Sequence, residues 1–423
     1  MESLLARNAS VRHLVAASGL SQLGTQISLI AMPLLALGSL DASTFEVSLL
    51  GLSEFLPFVL FGLPAGAFID QRWRRRVMLQ TDLVRAALLL TIPVAHVWWH
   101  VTLAQLYLVA FAVGAMTVFF DVAAQSFVPN VVEPVDLGSA YSAYSVAESV
   151  AGTAGPSIGG LAVRALTAPF AIGLDAISYA GSALLVSRID RLTEWRKRDP
   201  ADQRDPFVEQ IREGWRFVFT HPHLRPIALC IGTANLFATM LQAVFVTFLV
   251  RERGMGAIRV GLIFAVGNLG IALGALLASR IRRHLRLGQI LWMFSLLAGL
   301  GQVLLAVAPR SQPLPVLIAG WFVSAFASTV YNIQQVTFRQ AVTPDAIRGR
   351  MNATVRFMIW GTIPVGFLVG GFAGTHLGLH TTISLAAAGA MTSFLWTLLS
   401  PVRSLIGIPL PAPTGQPRPQ TLS

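Results

Sequence analysis

Apolar residues occur in long runs broken by short polar or basic segments, with no sustained two-residue alternation. A membrane-crossing helix needs roughly 20 mostly apolar residues to span about 30 Å of hydrocarbon. Twelve stretches meet that requirement, near residues 14–38, 47–69, 77–97, 101–122, 139–163, 168–187, 227–249, 260–279, 287–308, 314–337, 350–373 and 379–400. The pattern predicts an all-α chain of twelve spans. Two stretches break it. Residues 188–225 are rich in charge, and Phe207, Ile211, Trp215 and Val218 recur there at helical spacing with Glu209, Arg212, Glu213 and Arg216 between them. This amphipathic helix either lies on the inner membrane surface with its arginines near anionic lipid or packs beneath the helix bundle. The tail from 408 carries Pro409, Pro411, Pro413, Pro417 and Pro419 and reads as disordered.

The spans repeat in two sets of six. Gly66, Arg72, Arg74 and Arg75 recur 208 residues later as Gly274, Arg280, Arg282 and Arg283; Gln125, Pro134, Ala143 and Gly160 recur 210 residues later as Gln335, Pro344, Ala353 and Gly370. Such an offset indicates duplication. It divides the chain into an N-terminal six-helix bundle (1–187), a cytoplasmic linker with the amphipathic helix (188–225), a C-terminal six-helix bundle (226–407) and a tail (408–423). Two such bundles can rock around a central site.

Composition narrows the class further. Of 423 residues 54% are hydrophobic and 12% charged, against about 25% charged in soluble domains, which excludes a water-soluble fold. The net charge of +11 does not indicate nucleic acid, because the basic residues fall in short clusters between apolar runs. Most of them lie on one side when both termini are cytoplasmic, as the positive-inside rule requires; Arg251, Arg253 and Arg259, together on one outer loop, are the exception. Cys230 is the only cysteine, so neither an intrachain disulfide nor a cysteine metal cluster can form. The first apolar run is too long for a signal-peptide core and reads as the first span. Lys197 is the only lysine beside thirty arginines, a bias that points to a GC-rich bacterial genome.

Between the second and third spans the chain reads Gly66-Ala67-Phe68-Ile69-Asp70-Gln71-Arg72-Trp73-Arg74-Arg75. This resembles the loop motif of the major facilitator superfamily, a glycine, three residues, an aspartate and a basic cluster. Gln71 stands where a basic residue is usual and Trp73 where glycine is usual; in the C-terminal copy Ala278 replaces the aspartate. Asp82-Leu83-Val84-Arg85, Phe120-Asp121, Gly155-Pro156-Ser157-Ile158-Gly159-Gly160 and Pro344-Asp345 through Arg350 resemble the exporter branch that includes the enterobactin exporter and macrolide efflux proteins. The Gly-Pro signature resembles the motif associated with antiporters, with Ala151 at a position where that motif usually has glycine. The resemblance covers about residues 10–400. It implies the major facilitator fold, two pseudo-symmetric six-helix bundles, and a gate in which Asp70 and Asp121 pair with Arg72, Arg74 and Arg75. It also implies that helices 1, 4, 7 and 10 line the cavity, that 2, 5, 8 and 11 flank it, and that 3, 6, 9 and 12 stand outside.

An ionisable side chain at mid-bilayer costs at least ~2.5 kcal/mol on insertion scales, so each one is a functional candidate. Glu148, about ten residues into helix 5, and Glu54 in helix 2 are the proton-coupling candidates; a structural carboxyl bonded to a neighbouring helix is the alternative for each. Arg356 either holds a substrate carboxylate, pairs with one of these acids, or snorkels to the surface. Asp82 and Arg85 share a helix face and read as a structural pair, as does Asp175 on peripheral helix 6. Gln22, Gln26, Asn235, Asn332, Gln334 and Gln335 are substrate-contact candidates, with interhelical hydrogen bonding as the alternative. Gly152, Gly155 and Gly159 form a small-residue stripe for close helix packing, repeated as Gly366, Gly370 and Gly374.

Enzyme signals do not assemble. Gly155-Pro156-Ser157-Ile158-Gly159 matches the nucleophile-elbow pattern, yet it falls inside an apolar span rather than on a strand-to-helix turn. His376 and His380 have helical spacing without the glutamate of a zinc site, and Lys197 follows no P-loop glycine. The reading is a non-enzymatic transporter without cofactor or metal: a monomer in the bacterial inner membrane, in contact with lipid. It exports small organic molecules such as drugs, macrolides or siderophores by proton-coupled alternating access. A lipid or amphiphile transporter, or a transport-inactive receptor or scaffold, are the alternatives.

Overall fold

The computed structural model describes residues 7–62, 64–70, 72–189 and 207–407. The proline-rich tail and residues 190–206 of the linker lie outside them, as do the side chains of Asp70, Phe207, Glu209 and Ile211. Among the described residues there are helices and no strands. Twelve long helices follow one another: α1 (Ala9–Ser39), α2 (Thr44–Phe61), α3 (Arg74–Trp98), α4 (Leu103–Val131), α5 (Leu137–Leu166), α6 (Ala168–Ser187), α7 (Leu224–Thr247), α8 (Ala257–His284), α9 (Leu287–Ala306), α10 (Pro313–Val342), α11 (Asp345–His376) and α12 (Leu379–Thr392). Eleven are long and apolar enough to cross a membrane, α12 together with the short helix Phe394–Leu398 that continues it. α5 is equally long, but Tyr141, Ser142, Tyr144, Ser145 and Ser149 make its first half more polar.

Several ends differ from the expected spans. α4 runs on through Pro129 to Val131 rather than stopping near 122, because the segment after Asp121 stays helical and packs Phe127, Val128 and Val131 into one apolar cluster with Val11 and Leu14 of α1. There the Asn8 side chain caps α1 by accepting from the Val11 amide at 3.1 Å and donates to the Val131 carbonyl at 2.7 Å. The second span divides: α2 ends at Phe61 and a separate turn of helix covers Pro64–Asp70, since proline withholds the amide that would continue the ladder. At its start Ser43 and Glu46 cap each other reciprocally, an arrangement worth about 1 kcal/mol.

The six helices of each half pair identically. α1 packs on α5 and α6, α3 on α4 and α6, and α2 on α4; α7 packs on α11 and α12, α9 on α10 and α12, and α8 on α10. The two most extensive contacts between the halves are α2 with α11 and α5 with α8, and they exchange under the same repeat; α7 touches α1 and α2 more lightly. Each half holds two apolar clusters. Between them lies a polar belt: Asp82, Arg85, Asp175, Ser178 and Ser182 in the first half, and Cys230, Ser295 and Ser393 in the second.

At the end holding Ser39 and Thr44, here the far end, the halves meet closely. A Cβ on Gly160 would lie 2.6 Å from the Ala257 carbonyl, and one on Gly261 2.6 Å from the Pro156 carbonyl. Gly371 and Gly374 of α11 likewise face Ser48 and Thr44 of α2. Arg251 reaches Asp41 at 3.3 Å and the Ala42 carbonyl at 2.8 Å, which gives one of the exceptional loop arginines a structural role. Beyond Asn268 the glycines of α8 turn to α10, where Gly270 and Gly274 meet Phe322 and Phe326, while Val146 and Val150 of α5 are exposed.

The linker helix Phe207–Thr220 packs on α11. Gly214 sits against the Arg350 carbonyl, Glu213 forms an ion pair with Arg350, and Val218 is buried while Trp215 stacks on Phe219. Packing on the bundle is thus the observed arrangement of this helix.

Candidate functional site

Where α2–α11 and α5–α8 cross, the helices leave a cavity of about 170 Å³. Its walls are mainly apolar, with Met32, Leu50, Phe55, Phe264, Trp321 and Phe367 contributing. Phe55 stacks on Phe367 with ring centroids 5.8 Å apart, and Trp321 stacks on Phe245 at 5.2 Å with Phe264 edge-on at 4.6 Å. Two aromatic walls therefore face a space whose polar groups are Gln26 and Ser28 of α1, Glu54 of α2, Gln242 of α7 and Asn268 of α8. Sites for drug-sized ligands occupy roughly 300–1,000 Å³, so a ligand of that size needs these helices to part.

Glu54 is the one carboxylate of this lining. Among the described residues no hydrogen bond or ion pair engages it, and its electrostatic neighbour is Asp175. α2 comes close to α4 here, since a Cβ on Gly114 would run into the Glu54 carbonyl. Glu148, the other proton-coupling candidate, is half-buried outside this lining, in the field of Asp121.

Asn268 joins three helices. Its amide donates to the Gly152 carbonyl at 2.8 Å across the halves, and its oxygen accepts from Trp321 Nε1 at 2.9 Å. Replacing it with alanine removes both bonds, at about 0.5–1.5 kcal/mol each. The expected result is faster exchange of the amides in the middle of α5, read by hydrogen–deuterium exchange; unchanged exchange would refute the clasp.

The remaining candidates scatter. Gln26 lines the cavity and its Cβ packs where Gly155 leaves room; Gln22 is partly buried on the same helix. Asn235 donates to the Ile359 carbonyl at 2.9 Å and to Thr362 at 2.7 Å, bonding α7 to α11. Gln334 donates to the Ala278 carbonyl at 3.1 Å, and buried Gln335 donates to exposed Asn332 at 2.7 Å. Arg356 lies over the Trp360 ring at 4.3 Å within the field of Asp121.

Of the gate residues, the Asp70 side chain lies outside the described residues. Arg74 donates to Asn130 at 3.3 Å, buried Arg75 donates to the Ser187 carbonyl at 2.5 Å, and Arg72 lies over Phe68 at 5.1 Å. Gly66 has open space at its Cα. Asp121 sits ten residues before the end of α4, about 15 Å at 1.5 Å per residue, among Arg85, Glu148 and Arg356. In the helix-5 motif Gly155 and Gly159 face Gln26 and Ile27 of α1, Gly160 faces α8, and Pro156 lines the cavity.

The polar belt of the first half centres on Arg85, which is fully buried. Its guanidinium forms an ion pair with Asp82, donates to Thr117 at 3.3 Å, and lies over the rings of Tyr179 at 4.1 Å and Phe120 at 4.5 Å. Ser182 donates to the other Asp82 oxygen at 2.7 Å. Asp175 accepts from Ser28 and from Ser178. The cavity residues Gln242, Phe264, Asn268 and Trp321 were not singled out from the sequence; Gln242 and Asn268 carried a signal there, as polar side chains inside apolar runs.

The family described as transmembrane secretion effector, of the major facilitator type, matches residues 5–408. The multidrug efflux pump Tap of Mycolicibacterium fortuitum is 25% identical over 370 residues, covering 85% of this chain and 88% of Tap. The enterobactin exporter EntS of Salmonella typhimurium is 29% identical over 202 residues, covering 47% of this chain and 45% of EntS. Among solved structures, the nucleoside transporter NupG superposes with a TM-score of 0.71 at 14% identity over 92% of this chain and 98% of its own. A bacterial homologue of the iron transporter ferroportin in an inward-facing state gives 0.72 at 15% over 94% and 100%. These two share the fold. The family match, spanning nearly every residue from the start of α1 to the end of the described chain, makes this protein a multi-pass bacterial membrane transporter, a member of the transmembrane secretion effector family of the major facilitator superfamily.

Proposed function

We propose that this chain is a proton-coupled exporter of small, largely apolar organic molecules, working by alternating access in the inner membrane with both termini cytoplasmic. The cavity carries this reading: two aromatic walls with a single carboxylate, Glu54, at the crossing of the helix pairs that join the halves. Aromatic faces suit flat apolar or cationic ligands, and a carboxyl among them can take up a proton when the ligand leaves. With the termini cytoplasmic, the close contacts at Gly160, Gly261, Gly371 and Gly374 lie on the outer side, and the described state is the inward-facing one. The exporter direction rests on the Tap and EntS likenesses.

The test is efflux of a panel of dyes, macrolides and siderophores from transporter-deficient cells, with and without a protonophore. Glu54→Gln should lower protonophore-sensitive efflux about 5–150-fold, the range of one coupling free energy, and Glu148→Gln should lower it less. Efflux by Glu54→Gln equal to wild type would sink the assignment of Glu54; wild-type efflux indifferent to the protonophore would sink proton coupling.

A further inference from the structure

Among the described residues the buried carboxylates lie in one half. At matching height the second half places Cys230, Ser295 and Ser393, bonded to one another at 3.3 and 2.9 Å, where the first half places Asp82, Arg85 and Asp175. The second half thus packs at this level around hydroxyls, a thiol and Tyr331, with Arg339 as the buried cation near them, and without a carboxylate, which leaves the acids of the first half to be explained.

Their arithmetic is uneven. Five acids, Asp82, Asp121, Glu148, Asp175 and Glu54, follow one another as electrostatic neighbours with two guanidiniums among them, and Glu54 joins the series through Asp175. Arg85 forms its ion pair with Asp82, and Arg356 is the second cation in the field of Asp121. Among the described residues Asp121, Glu148, Asp175 and Glu54 make no ion pair, and of these Asp175 is the one bonded to a residue of the cavity wall. A buried carboxylate without a paired cation is strongly disfavoured in a low-dielectric interior, and a proton removes the charge. Ser28 stands between Asp175 and Glu54, since it lines the cavity that holds Glu54 and its hydroxyl donates to Asp175. Gly24, one turn before Ser28, has no room for a Cβ against Asp175 and Ser178, so α1 and α6 touch here.

We propose that Asp175 is a second proton-carrying carboxyl, joined to the cavity through Ser28 and coupled to Glu54, so that one proton is held in the bundle while another exchanges at the cavity. The groups facing it are Arg85 and Asp82 from α3, Glu54 from α2, Asp121 of α4 by way of Arg85, and Tyr179 of its own helix; α1 offers Ser28. This rests on the proton-coupled reading above.

The experiment is infrared difference spectroscopy of the purified full chain between mildly acidic and mildly alkaline buffer, following the C=O stretch of protonated carboxyls. It needs no transported substrate. Asp175→Asn should lose one titrating carboxyl signal, distinct from the one lost in Glu54→Gln, and Ser28→Ala should shift the Asp175 signal along the pH axis while retaining it. If Asp175→Asn does not fold, the Ser28→Ala shift alone decides. Spectra of Asp175→Asn matching wild type, or an unshifted titration in Ser28→Ala, would overturn the proposal and leave Glu54 as the sole proton carrier. Loss of the Glu54 signal alone would thus refute the second carrier only, whereas no titrating carboxyl in wild type would refute the coupled reading with it.

Discussion

Replacing Arg85 with alanine should be the most destabilising single change in this chain. Asp82, itself fully buried, would lose its ion-pair partner and keep only the Ser182 hydroxyl. Breaking a buried pair by removing one partner costs about 3–5 kcal/mol, because it strands the other charge. The guanidinium also fills the space between the rings of Tyr179 and Phe120, so truncation leaves a void as well. Thermal unfolding of the purified protein in detergent reads the effect. The double variant Asp82→Asn with Arg85→Gln removes both charges and should retain more stability than Arg85→Ala alone. Equal melting of Arg85→Ala and wild type would mean that the pair does not hold α3 against α4 and α6. Arg85→Lys should not restore wild-type stability, since a point ammonium cannot reach Asp82 and Thr117 while lying flat on two rings.

Gly261→Val should have the second largest effect, on conformation more than on folding. Its added Cβ would meet the Pro156 carbonyl at 2.6 Å and the Gly160 Cα at 3.2 Å. Both are backbone atoms of α5 that no rotamer change can move aside, and overpacking of this kind costs about 1–3 kcal/mol. That penalty falls only on states in which α5 and α8 touch at the far end. Cysteines placed at the far ends of α5 and α8 should therefore cross-link roughly tenfold more slowly in the variant, as about 1.4 kcal/mol requires. Cys230 is buried and hydrogen-bonded, so background labelling stays low. Gly152→Ala on α5, the facing helix, is the control, since its Cβ meets nothing within 4 Å. Equal cross-linking by Gly261→Val and Gly152→Ala would show that the glycine contact does not set the closure.

The helices were legible because a span is a local property: twenty apolar residues must be helical in hydrocarbon, where every amide needs an internal partner. The internal repeat was legible for the same reason, as recurrence of residue types at a fixed offset. Local polarity also marked Glu54, Glu148, Asp82, Arg85 and Asp175 as unusual, and the three-residue spacing of Asp82 and Arg85 gave their ion pair directly. Span ends were read less well where polar residues continue a helix, as in α4, because packing rather than hydropathy carries it to Val131.

Partners were not legible in the same way. Asp82 meets Ser182, Asp175 meets Ser28, and Asn268 meets Gly152 and Trp321. Each pair brings together helices far apart in the chain, and no periodicity encodes which helices touch. The sequence by itself determined a twelve-helix membrane chain of duplicated design, with a short set of acids and arginines inside it. Only the tertiary structure decided that Glu54 faces the cavity while Glu148 stands outside its lining, and that Arg74 and Arg75 hold Asn130 and Ser187. The physical reason is that a side chain's chemistry follows from its own residue, whereas its solvent, field and partner follow from the neighbours that packing supplies.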